Sequence, residues 1–576
     1  MSGIEPATRD GLVEHYNDWP NDIGFEADTE CRTVVELTVR GSIPTCCAGT
    51  LYRTGPGKYK VESQDGKTIT TSHWFDGLAQ VHRFQLLPPS DSTSITRVLY
   101  NSRFTVDTLV ENIRKTGNMS SFTFGQKRDL CQSFFGKVMG IFAPVLGLDK
   151  GKPDSHNINV SLSVNLPGLQ PPMAATSPDD VESSGITSLV NKTDANGYQF
   201  LDPTTLEPIG LSSQAALHPD LKGPMCATHS RTDPLTGDWF NYNLDISSTS
   251  TYRVFRVSAS NQKTTILATI TSAPPAYLHS IFLTQNYVIL CVWGSHFAMY
   301  GLKILYTRNV LDALNPTDPA QPCRWYVVDR SSQQKGLVAV YTSPAFFAFH
   351  AINAYEEASP TRPGETDIVA DLPCYDDLSI LKRFYYENLM SSSPDAREFT
   401  GVKGESTRSW LGRYRLPNIP AEADHTTFAG QDREAVREWA TARSQSVELP
   451  TINPRFITLK HRYIYGITDR GNSTFFDGLA KFDCLTQTAL FWSEKGQSAG
   501  EATFVPDPDA REEDEDAGVL LTVVLDGYKE KSYLLVLDAR TMKEVGRAEM
   551  DRAAAFSYHG VHVPSQGPHK GKALDC

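Results

Sequence analysis

No stretch of about twenty consecutive apolar residues occurs in this 576-residue chain, so nothing in it reads as a helix that spans a bilayer. Positive charge is in deficit. The 54 Lys and Arg are outnumbered by 67 Asp and Glu, for a formal net charge of −13. Phosphate binding needs clustered Lys and Arg, so a nucleic-acid partner is excluded. Closely spaced cysteine pairs are missing too. The ten cysteines include no CxxC, and Cys46 and Cys47 are adjacent, so reduced thiols in a cytoplasmic protein are expected. The opening twenty residues carry no apolar core, and no secretory signal is expected in them. Cys576 is the last residue rather than the fourth from the end, which is wrong for prenylation.

Helical signals are sparse as well. REAVREWATA, residues 433–442, is the one plausible short helix. What is abundant is strand: TTILATI, HSIFLTQNYVILCVW, GLKILYT, RWYVVD, KGLVAVYT, HRYIYGIT, VLLTVVL and SYLLVLD are short, β-branched or aromatic, and bounded by turn residues. The 40 glycines and 35 prolines suit many turns. Asp-x-x-Thr recurs at Asp202, Asp233, Asp483 and Asp538, where Asp can cap its own backbone in a tight turn between strands. Strand, Asp turn, strand is the outer hairpin of a propeller blade, and the pattern favours a β-propeller over an array of sandwiches. Residues 166–185 and the acidic run 507–518 read as surface loops. The acidic run lacks the ligand spacing and glycine of a calcium loop.

FFAFHAINAYEE, residues 346–357, places His350 in a short buried strand, where both ring nitrogens need partners away from water. His229, His279 and His559 have similar apolar settings. They are too far apart in sequence for a local zinc motif, but strands of a propeller point at one axis and could bring them together. A single histidine on an apolar strand is more often a hydrogen-bonded core residue than a ligand, and spacing alone does not decide between the two.

The words around these histidines do more. GTLYRTGPGKY, HWFDGLAQVHRF, THSRTD, LHSIFLT, FHAINAYEE, VELPTINPR, EATFVPDP and YHGVH stand in the order found in the carotenoid cleavage oxygenases, and the chain resembles that family over nearly its whole length. The resemblance implies an all-β fold, a seven-bladed β-propeller with short helices and loops capping an axial metal site, formed by residues 1–576 as one domain. It implies one Fe(II) per chain held by His229, His279, His350 and His559, with O2 as co-substrate and no catalytic side chain beyond the metal centre. His559 is preferred to His562 because the family's ligand is followed directly by glycine, here Gly560. His562 is expected to be exposed or to stand behind the ligands, and His73 and His82 to brace turns. Carboxylates are implied on the outer nitrogens of the ligands: Glu448, Glu501 and, where relatives carry Glu, the shorter Asp194. Four neutral imidazoles leave the metal its full charge and suit iron, and each must bond its second nitrogen elsewhere.

The family cleaves a carbon–carbon double bond with O2 into two carbonyl products. Similarity to its fungal members implies a torulene-like or apocarotenoid substrate and an apocarotenal product on the way to neurosporaxanthin. The alternatives are symmetric β-carotene cleavage and a stilbene of the resveratrol type. Stilbene cleavers hold the phenol with a Lys beside the third carboxylate. Here Thr193 precedes Asp194, and Lys192 should point to the opposite face of the strand. Residues 131–147 carry Phe134, Phe135, Met139 and Phe142 with one charge, and read as an interfacial helix through which a lipophilic polyene leaves a membrane or lipid-body surface.

Overall fold

A computed structural model describes residues 15–26, 29–89, 93–119, 122–127, 151–171, 184–246, 249–331, 335–401, 404–419 and 433–565, with the short pieces 8–9 and 12–13. The segment 131–147, with Phe134, Phe135, Met139 and Phe142, lies outside the described residues.

The strands pair antiparallel with their neighbours in sequence and form an all-β, propeller-like arrangement. One four-stranded sheet runs from Ser161–Val164 through Leu189–Lys192 and Tyr198–Leu201 to Pro208–Ser212. Two five-stranded sheets follow, the first centred on Trp239–Asp245 and Thr251–Val257, the second on Tyr287–Val292 and Cys323–Asp329. Two more sheets of four begin at Asn353–Ala358 and Glu448–Thr451. These five are separate blades. The two ends of the chain differ, because Val35–Gly41 pairs with Lys543–Glu549 and joins everything around it into one ten-stranded sheet. Seven separate blades, as expected from the resemblance, are therefore not what the sheets form.

The Asp-x-x-Thr turns are made as the pattern requires. The Asp202 carboxylate accepts from the backbone N–H of Thr204 and Thr205, and that of Asp538 from Thr541. Asp202 and Asp483 close hairpins at the outer strands of their sheets, Asp538 closes one in the middle of the ten-stranded sheet, between Lys531–Asp538 and Lys543–Glu549, and Asp233 closes an inner one, between Arg231–Thr232 and Trp239–Asp245. Two local readings are overturned. Residues 433–442 are not a helix: Arg433–Glu434 and Val436–Ala440 are strands, the second pairing with Trp410–Ile419. Its charged, exposed side chains suit an edge strand, and pairing outweighs a helix propensity worth only tenths of a kcal/mol per residue. GLKILYT is instead a short helix, Leu302–Thr307. The longest described helix is Asp107–Thr116. No helix among the described residues is long and apolar enough to cross a membrane. The eight described cysteines are all unpaired.

Candidate metal centre

Each candidate histidine lies at the inner edge of a sheet. His229 follows Met225–Cys226, His279 precedes Phe282–Leu283, His350 precedes Asn353–Ala358, and His559 opens the last strand, His559–Pro564. Residues 346–352 are buried but irregular rather than a regular strand. Adjacent sheets meet here, with the His229 N–H donating to the His279 carbonyl at 3.1 Å. The result brings one nitrogen from each of the four rings within 4.8 Å of the others.

Three of the four outer nitrogens are bonded to carboxylates. Nδ1 of His350 donates to Glu448 Oε2 at 2.7 Å, Nδ1 of His279 to Asp194 Oδ2 at 2.7 Å, and Nδ1 of His559 to Glu501 Oε1 at 2.6 Å. A proton on Nδ1 leaves Nε2 as a bare lone pair pointing inward. His350 Nε2 and His559 Nε2 are 3.3 Å apart, and His229 Nε2 is 3.0 Å from His559 Nε2. Two lone pairs at 3.3 Å repel unless a cation lies between them. Burial, reinforced by the neighbouring imidazoles, pushes His229 and His559 well below 6.5, so they stay neutral and able to ligate. The donor set is therefore one that fits a transition-metal ion.

Asp194 reaches its histidine although it is short. Its carbonyl accepts from Cys226 N–H at 2.9 Å and its Oδ1 from Thr228 N–H at 3.2 Å, which draws the turn towards the neighbouring sheet. Glu501 is held from behind by Arg53 at 2.8 Å and by the Gly560 N–H at 2.7 Å. Burial pushes its carboxyl up to about 7, with Arg53 opposing. His562 is neither exposed nor behind a ligand: fully buried, its Nε2 donates to the Cys47 carbonyl at 3.1 Å. His73 braces its turn, Nε2 donating to the Leu381 carbonyl and Nδ1 accepting from Phe75 N–H, and His82 bonds Tyr100 at 2.9 Å.

A second group, Asp371, His461 and Cys484, is close enough to suggest a metal. Its hydrogen bonds argue otherwise. The Asn353 amide oxygen accepts from Thr458 N–H, and its nitrogen shares two hydrogens among the Phe456 and Leu459 carbonyls and His461 Nδ1. His461 Nε2 lies 3.1 Å from Asp371 Oδ2, and Arg413 donates to both oxygens of that carboxylate. Arg413 thus already balances the Asp371 charge without an ion.

Above the four histidines opens a cavity of about 330 Å³ walled by Phe75, Phe124, Tyr277, Phe349, Phe384 and Phe476, with His279, His350 and His559 at its foot. Thr193 lines it. Lys192 does not: it lines a second, small polar cavity together with His229, as strand alternation requires. Sequence reading missed Arg53, Tyr277 and Tyr375, although Arg53 stands inside one of the quoted motifs and Tyr277 immediately before another.

The family described as "Retinal pigment epithelial membrane protein" matches residues 24–564. The chain belongs to this family of carotenoid oxygenases. It is 40% identical over 583 residues to a carotenoid dioxygenase of Neurospora crassa, covering 97% of this chain and 94% of that protein. It is 39% identical over 578 residues to a torulene dioxygenase of Gibberella fujikuroi, covering 97% and 96%. Among solved structures, a variant of the Synechocystis apocarotenoid oxygenase superposes with a TM-score of 0.69 at 21% identity, over 95% of this chain and 98% of that one. A cobalt-substituted form of the same Synechocystis protein gives 0.67, at 21% identity over the same shares. At that identity the likeness speaks for the fold.

Proposed function

We propose that this protein is a non-haem iron dioxygenase that cleaves one carbon–carbon double bond of a carotenoid with O2. Both oxygen atoms go into products, one to each of two aldehydes. The observation that carries the reading is the cluster of four imidazoles at the foot of an aromatic cavity. His229, His279, His350 and His559 would hold one Fe(II) per chain, with Glu448, Glu501 and Asp194 fixing three of the rings. Bound there, ferrous iron supplies the activation of dioxygen. The chain's own residues do the rest. The aromatic wall orients a polyene over the metal and excludes water. The carboxylates hold Nδ1 protons and so keep each Nε2 directed at the metal. All are engaged in these bonds, so no side chain is assigned acid–base work on the substrate.

The names of the two fungal relatives favour a torulene-like or apocarotenoid substrate. A stilbene is disfavoured by Thr193, which faces the cavity where a phenolate would want a cation. We read residues 1–576 as one propeller in which the ten-stranded sheet counts as two blades, making seven. Leu109, Arg308 and Phe384 line the cavity from or beside short helices, as a cap would.

Access from a membrane or lipid-body surface on the cytoplasmic side fits a patch next to the cavity. Met299, Tyr300 and Leu302 are 67%, 80% and 51% exposed, and the helix Leu302–Thr307 leads from them to Arg308 and Val310 on the cavity wall. Met299 and Tyr300 also hold left-handed backbone, φ 54° and 53°, which costs non-glycine residues of order 1–3 kcal/mol each.

The test is incubation of purified protein with torulene, β-carotene or resveratrol under ¹⁸O2, with products separated by chromatography and weighed by mass spectrometry. Labelled aldehydes from torulene are expected. Cleavage of resveratrol alone, or of nothing, would overturn the reading.

A further inference from the structure

Two of the three carboxylates behind the histidines accept a second donor from the cavity wall. Tyr277 Oη donates to Asp194 Oδ2 at 2.8 Å, and Tyr375 Oη donates to Glu448 Oε1 at 2.9 Å. Both tyrosines are buried, and both line the aromatic cavity, as Asp194 and Glu448 do. Glu501 is arranged differently. It takes Arg53 and the Gly560 N–H, and it lines the small polar cavity on the other side, with Lys192 and His229. Neutral phenols thus serve the carboxylates that face the apolar cavity, and a guanidinium serves the one that does not.

We propose that Tyr277 and Tyr375 are positioning residues of the metal centre: they fix the planes of Asp194 and Glu448, and so the rings of His279 and His350, while showing the substrate only aromatic carbon. The proposal rests on the reading of the four histidines as ligands.

A carboxylate held by one imidazole N–H can still turn about its own side-chain torsions, and a donor from a second, rigid direction removes that freedom. Around Asp194 the donors are His279, Tyr277 and Thr228 N–H, and around Glu448 they are His350, Tyr375 and Leu449 N–H. Each carboxylate is thereby satisfied by protein groups, which a buried charge beside an apolar cavity requires.

The tyrosines are themselves held. Tyr277 N–H donates to the Ser295 carbonyl, and the Tyr277 carbonyl accepts from Trp293 Nε1. Tyr375 exchanges both backbone hydrogen bonds with Phe347. A phenol joins a flat apolar body to one polar tip, so it can finish the carboxylate without opening the wall to water. An ammonium or guanidinium in the same place would bring charge into the cavity and compete with the imidazole for the carboxylate.

The experiment follows the release of cobalt(II) from fully loaded protein into excess chelator, read by the visible absorption of the bound ion. Tyr277→Phe and Tyr375→Phe remove one oxygen each. Each is expected to release metal about 10-fold faster than the parent, as removal of an outer partner does elsewhere, and to shift the cobalt absorption. Tyr252→Phe is the comparison. Its buried hydroxyl donates at 2.9 Å to the Pro274 carbonyl and touches no carboxylate, so it should change urea stability without changing metal release. If both cavity variants release cobalt at the parental rate with an unchanged spectrum, the positioning role is wrong. His350→Ala separates the two readings. If that variant keeps its metal, the ligand assignment fails; if it loses metal while the tyrosine variants behave as the parent, only the tether fails.

Discussion

Asp194 Oδ2 lies 2.7 Å from Nδ1 of His279, 85 positions further along the chain. The contact is as short as the one from Glu448 to His350, although Asp has one methylene fewer to span it. The backbone makes up the difference, since the turn carrying Asp194 is hydrogen-bonded to Cys226 in the next sheet. Asp194→Asn should therefore weaken metal retention by about 10–100-fold and leave the fold intact. Chelator competition measures this, and an unchanged affinity would remove Asp194 from the centre.

Metal content should be about one iron per chain in protein purified without chelator. His350→Ala deletes one ligand and strands the Glu448 carboxylate, so iron and cleavage should be lost together. Elemental analysis showing full occupancy in that variant would sink the four-histidine assignment.

The Met299, Tyr300 and Leu302 patch should govern contact with lipid. Fully burying each side chain is worth on the order of 1.5–3 kcal/mol, and less at an interface. Changing all three to Ser should reduce the liposome-bound fraction several-fold. It should also slow cleavage of membrane-embedded carotenoid more than that of detergent-solubilised carotenoid. Co-sedimentation that survives the triple change would mean that this patch does not dock.

Acid should destabilise the fold through a buried histidine that refuses its proton. His82 is fully buried, and burial, with Arg53 nearby, lowers it from 6.5 to about 3. Above pH 6.5 neither the folded nor the unfolded chain protonates it, so it costs nothing. Below 6.5 the unfolded chain takes up a proton that the folded chain refuses, and stability falls by up to about 1.4 kcal/mol per pH unit until about pH 3. His82→Gln should flatten the dependence by about that slope between pH 5.5 and 4.5, read from urea midpoints. An identical slope in the variant would show that His82 does not titrate as its burial implies.

The candidate ligands were more legible in the sequence than the elements that deliver them. His229, His279, His350 and His559 stand in long, ordered words, and Glu448 and Glu501 in two more. The structure places all six, with Asp194, around one point. Their convergence could not be read from spacing, because it depends on sheets hundreds of residues apart. Local propensity failed where pairing decided. Val436–Ala440 is built from good helix formers yet forms an edge strand, and the β-rich GLKILYT coils into a helix. Tyr277 and Tyr375 went unmarked in the sequence, because their hydroxyl partners lie 83 and 73 positions away. His562 shows the converse: its burial is set by Cys47, 515 positions earlier.

The strand that carries His559 pairs with Gly49–Lys58, and Thr54 is its direct partner. A ribosome emitting this chain thus makes one side of the last ligand's seat at the outset and the ligand itself near the finish. Until that strand has been released and has found its partner, three of the histidines can be present and the fourth cannot. Iron offered to a nascent or truncated chain meets an unfinished set of donors. On the proposed reading of these histidines as ligands, holding an ion tightly becomes a property of chains that have closed, and metal retention an assay of complete folding.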